Sequence, residues 1–118
     1  MQKLIATAIL FLLFLPSSSY AAETPADTDM HVRLGVNYFK LNQYEQAARE
    51  LQKAIELNPH IEDVHGILGV TLFHLKRYDE ALEVLETAVR LNPDITENYY
   101  NLGLVYLEKG ISLANYLC

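Results

Sequence analysis

Four histidines, fifteen acidic side chains and one cysteine are the groups from which this 118-residue chain could build chemistry. Their spacing builds none. No HExxH places two imidazoles and a carboxylate on one helical face for zinc, and no GxSxG, phosphate-cradling Gly-rich loop or CxxCH occurs. Cys118, the only cysteine, excludes an internal disulfide, a CxxC redox pair and a Cys-rich zinc site. A terminal residue is also a poor place to preorganise a nucleophile. Glu62 with Asp63, and Asp79 with Glu80, are adjacent carboxylates. Neighbours on a helix diverge by about 100° and do not converge as an acid–base pair. His31 and His65 recur at one spacing, yet no Asp, Glu, His or Cys recurs with them at an offset suited to metal ligands. They read as partly buried packing residues, and His60 and His74 as exposed. The expectation is a non-catalytic chain that needs no cofactor and no metal. Its net charge of −6 also argues against tracking nucleic-acid phosphates, which takes a clustered basic face.

The amino terminus reads as an address. Lys3 precedes an apolar run from Leu4 to Leu15, Pro16 then stops any helix, and Ser19 and Ala21 are small residues two apart. These twelve residues, broken only by Thr7, reach about 18 Å as a helix, short of the roughly 30 Å hydrocarbon core of a bilayer. Residues 1–21 are therefore expected to be a cleaved export signal, with an uncleaved anchor as the alternative. Cleavage is placed after Ala21 or, alternatively, Ala22. Residues 22–27 would be a linker, and the mature chain would work in an exported compartment, a bacterial periplasm first, without a stable membrane span.

The positions that carry the remaining pattern recur every thirty-four residues without a gap. Residues 28–61 match 62–95 at His31/His65, Leu34/Leu68, Gly35/Gly69, Tyr44/Tyr78, Ala47/Ala81, Ala54/Ala88 and Pro59/Pro93, and a third copy opens at Thr96. Leu34, Tyr38 and Leu41 sit at i, i+4, i+7, as do Ala47, Leu51 and Ala54, and both spacings return in the second copy. Each copy is thus two amphipathic helices, over 29–41 and 45–57, then 63–75 and 79–91. Asn-Pro at 58–59 and 92–93 ends each second helix. Glu45 with Arg49 and Glu86 with Arg90 are suited to i, i+4 ion pairs on a solvated face. Gly35, Gly69 and Gly103 fall mid-helix, where glycine costs about 1 kcal/mol relative to alanine. A cost repeated in step predicts a neighbouring helix passing too close for a side chain, with Ala47 and Ala81 as the surfaces that approach.

These positions resemble the tetratricopeptide repeat family: Leu34, Gly35, Tyr38, Tyr44, Ala47, Ala54 and Pro59, then Leu68, Gly69, Leu72, Tyr78, Ala81, Ala88 and Pro93, then Leu102, Gly103 and Tyr106. The fourth position, often aromatic in that family, holds His31, His65 and Tyr99. The resemblance covers residues 28–110. It implies an all-α, right-handed superhelical solenoid of antiparallel helix pairs, with two complete repeats and a partial third over 96–118. Ser112 and Asn115 stand where Tyr and Ala would continue that third copy. The end reads as part of a longer array, as a surface through which two chains dimerise, or as a fold-back cap.

The resemblance also implies a concave groove lined by the first helices. Its candidate residues are Asp29, Val32, Arg33, Val36, Phe39 and Lys40 from the first copy. The second supplies Asp63, Gly66, Ile67, Val70, Phe73 and His74, and the third Glu97, Tyr100, Asn101 and Leu104. Family members that clamp a C-terminal carboxylate use Lys and Asn where Val32 and Val36 stand, so no such clamp is implied. The expected partner is a protein or peptide, in helix-in-groove fashion, presenting apolar anchors and some Lys or Arg toward Asp29, Asp63 and Glu97.

Overall fold

The computed structural model describes residues 24–61 and 63–110. The export signal over 1–21 and the end segment with Ser112, Asn115 and Cys118 lie outside the described residues. Five α-helices carry the rest: α1 (Pro25–Lys40), α2 (Tyr44–Leu57), α3 (Val64–His74), α4 (Tyr78–Leu91) and α5 (Thr96–Glu108). Each packs on its successor, and the first helices of the copies also touch, α1 on α3 and α3 on α5. This is the expected all-α solenoid of helix pairs. Among the described residues no helix is long and apolar enough to cross a membrane.

Local chemistry sets the helix ends. α1 begins four residues before the apolar periodicity does, so residues 25–27 of the expected 22–27 linker are helix. Pro25 sits at the first helical position, where its missing N–H costs nothing, and the Thr24 N–H donates to Asp27 Oδ2 at 2.7 Å. That bond holds the Asp27 carboxyl below the ordinary aspartate range. At the other end Gln43 N–H reaches Tyr38 O and Asn42 N–H reaches Phe39 O, both at 2.9 Å. Arg77 to Leu72 and Lys76 to Phe73 repeat the motif at 2.9 Å in the second copy. This closure needs a left-handed residue, supplied by Asn42 (φ 59°) and Lys76 (φ 61°). The second helices stop at the Asn-Pro pairs, where Asn58 Oδ1 accepts from His60 N–H and Asn92 Oδ1 from Asp94 N–H.

The core is a line of Ala48, Leu51, Ala54, Val64, Leu68, Leu72, Ala81, Leu85, Leu102 and Val105 running through successive helices. The mid-helix glycines work as expected, with a different partner. A methyl group on Gly35 would lie 2.6 Å from Leu51 Cγ, and one on Gly69 would lie 2.4 Å from Leu85 Cγ. The leucine one turn beyond the expected alanine enters the notch, while Ala47 and Ala81 are buried beside it. No described residue lies within 4 Å of a methyl placed on Gly103. The expected Glu45–Arg49 and Glu86–Arg90 pairs do not form. Arg77 instead grips Glu80 through Nε at 2.9 Å and Nη2 at 2.6 Å, and Glu86 accepts from Tyr106 Oη across the α4–α5 contact.

Candidate functional site

Because α1, α3 and α5 lie side by side, residues at equivalent turns converge on one surface. Between them is a cavity of about 580 Å³. Val36, Phe39 and Lys40 border it from α1, Asp63, Ile67 and Val70 from the second copy, and Glu97 and Asn101 from α5. All eight were expected in the groove. Gly66, Ile95 and Asn98 complete the wall. Ile95 and Asn98 carry no signal in the periodicity. The first sits in a connection, and the second is a carboxamide at a position the earlier copies give to Met30 and Val64.

The other expected residues are placed elsewhere. Asp29 and Val32 line a second cavity of about 490 Å³, walled by Leu57 at the end of α2 and by Asn58 and Ile61 of the α2–α3 connection. That connection divides what the sequence suggests as one continuous floor. Arg33 is exposed and pairs with Asp29 at 2.8 Å. Phe73 packs against the core and tilts over Tyr78 at 5.7 Å between ring centroids. His74 stacks on Tyr44, with ring centroids 4.4 Å apart and planes 6° from parallel. Tyr100 is exposed, Leu104 half-buried, and neither borders the larger cavity.

The site is apolar in its floor and charged at its edges. Val36, Phe39, Ile67 and Val70 are all half-buried, so each keeps a face toward the cavity while bracing its helix. Lys40 stands at one margin, Asp63 and Glu97 at others, and none of the three is in an ion pair among the described residues. Asp63 initiates α3 from a left-handed conformation, φ 66°. Of the histidines, His31 Nδ1 meets Glu50 Oε2 at 2.6 Å between α1 and α2, and His65 is 6% exposed with Nδ1 unpartnered. Burial holds the His65 imidazole below the ordinary histidine range, outweighing the Ile61 carbonyl that favours its charged form. Both are packing residues set between helices, as their sequence context implies. Among the described residues no three His, Cys, Asp or Glu side chains are grouped to hold a metal.

A profile of the tetratricopeptide repeat family matches residues 32–94 and again 78–112. No curated protein matches. Among solved structures, a MamA mutant superposes with a TM-score of 0.71 at 30% identity, covering 76% of this chain and 66% of that one. The crystal structure of MamA gives 0.68 at 28%, covering 71% and 49% respectively. This chain therefore spans between about half and two thirds of the MamA chains it matches. The first tetratricopeptide repeat module of Spaghetti (RPAP3), solved with the HSP90 peptide SRMEEVD, gives 0.67 at 23% identity, covering 71% of this chain and 67% of that module, and shares the fold. The repeat register, the paired helices and the family match together show that this chain belongs to the tetratricopeptide repeat family.

Proposed function

We propose that this protein is a non-catalytic interaction module that holds a segment of a partner protein against α1, α3 and α5. The observation that carries the reading is the cavity of about 580 Å³ between those helices, with half-buried Val36, Phe39, Ile67 and Val70 as its floor. Apolar side chains of a partner would fill the floor, and Lys or Arg would meet Asp63 and Glu97 at its edge. A module of the same fold, that of RPAP3, has been solved with a peptide bound. Selection from a random peptide display library tests the reading. Enrichment of peptides combining apolar and basic residues is expected, with binding lost in a Phe39→Asp/Val70→Asp variant that keeps its helical circular dichroism. Failure to enrich any peptide contradicts it.

An exported, bacterial-envelope setting belongs to the same proposal and rests on residues 1–21 alone. Intact-mass measurement of the chain recovered from a periplasmic extract tests it, and a chain that retains Met1 there speaks against cleavage.

Self-association is the second reading, favoured by one stripe of α1. Met30, Leu34 and Leu41 are 48%, 38% and 66% exposed, whereas Val64 and Leu68 at the equivalent positions of α3 are covered by α2. Analytical ultracentrifugation over a range of concentrations decides it, since a constant monomer mass removes this reading.

A further inference from the structure

His31 and His65 occupy one register, yet their surroundings are opposite. Two carboxylates attend His31. Glu50 Oε2 meets its Nδ1 at 2.6 Å from α2, and Asp27, one turn back on α1, lies close enough to feel its charge. Thirty-four residues later those two positions hold Val84 and Ile61, both half-buried against the core. His65 is buried there with its Nδ1 unpartnered, and of Ile61 only the carbonyl favours a positive ring. Of the described charged groups, His60 in the α2–α3 connection is the one whose charge reaches His65, and it repels a second positive charge. No carboxylate of α1, α2, α4 or α5 among the described residues offsets it. A neutral imidazole fits such a site as a packing residue. An imidazolium does not, because it is a buried charge without a counter-charge.

We propose that the α3–α4 pair is an acid-released latch beneath the groove. One proton taken up by His65 opens that pair, while α1–α2, where the same charge would meet Glu50 and Asp27, stays closed. The open pair binds the proton more readily than the closed one, so the latch is shut above about pH 6.5 and yields as pH falls. α3 carries Ile67 and Val70 of the apolar floor, so opening dismantles the floor and releases the occupant. That last step rests on the groove reading above, whereas the opening itself does not.

Hydrogen exchange of the whole chain, read helix by helix by NMR as protection factors between about pH 7 and about pH 5.5, tests the latch. Protection in α3 and α4 should fall below about pH 6.5 by up to about tenfold per pH unit, the limit for one proton, with α1 and α2 steady. His65→Leu removes the titrating group and Val84→Glu supplies the carboxylate of the first copy, so each should abolish the fall. Glu50→Val should transfer the same behaviour to α1 and α2. A display-selected peptide should lose affinity for the wild type in step with the opening and keep it for His65→Leu. Loss of protection shared equally by all five helices would overturn the proposal, as would a fall that persists in His65→Leu. If α3 and α4 open as expected but no peptide binds at about pH 7, the groove reading falls and the acid-opened pair stands. Peptide affinity that ignores the opening would overturn the latch and leave the groove reading intact.

Discussion

Gly35, Gly69 and Gly103 share one sequence position, yet the first two face a leucine and the third no described residue, which makes them the sharpest residue-scale probe. At Gly69 a methyl would collide with Leu85 Cγ at 2.4 Å, well inside any normal contact. Gly69→Ala is expected to destabilise by about 1–3 kcal/mol, the usual cost of overpacking. Gly103→Ala meets no described residue within 4 Å and sits inside α5, so it should stabilise by about 0.5–1 kcal/mol. Urea melts of the two variants should move in opposite directions. The repeated glycine was readable in the sequence as a close approach. The identity of the approaching side chain was not, because a repeat period fixes positions within a helix but not the axial offset between two helices, and Leu51 rather than Ala47 fills the notch. His65 provides a second probe. Its folded pKa lies below the ordinary value, so the unfolded chain takes up a proton more readily. Its contribution is therefore intact above about pH 6.5 and lost as pH falls toward the folded pKa. Replacing His65 with Leu should flatten the fall in stability between about pH 7 and about pH 5, measured against wild type in parallel melts.

At the scale of elements, the helix boundaries follow from turn chemistry more than from periodicity. Apolar spacing places α2 and α4 to within a residue at their starts, because Tyr44 and Tyr78 follow a closure that the sequence repeats. It misses the first turn of α1, which Pro25 and the Thr24–Asp27 bond create from polar residues with no periodic signal. The closure itself carries strain in one copy. Asn42 tolerates the left-handed region, whereas Lys76 at the equivalent position pays a steric cost of about 1–2 kcal/mol there. Lys76→Gly should therefore stabilise by about 1 kcal/mol without changing helix content, as urea denaturation followed by circular dichroism would show. A loss of stability instead would mean that the lysine side chain contributes more than its backbone costs.

Across the whole molecule, stacking of helix pairs turns the periodic positions into a surface. Val36 and Val70 recur in step and do meet at one cavity, so that part of the site was legible from register alone. Phe73 and His74 share the same register yet leave the cavity for rings on Tyr78 and Tyr44, a choice made by side-chain packing that spacing cannot encode. Asn98 was illegible for a different reason, since a polar side chain at a core position gains meaning only once Gly66 is seen opposite it. The central claim is that the first helices form the working face. Methyl-resolved NMR titration with a display-selected peptide tests it most directly. Shifts concentrated on Val36, Ile67 and Val70, with Leu34 on the outer stripe of α1 unmoved, are the predicted result, and shifts centred on Leu34 with those three unchanged would contradict it.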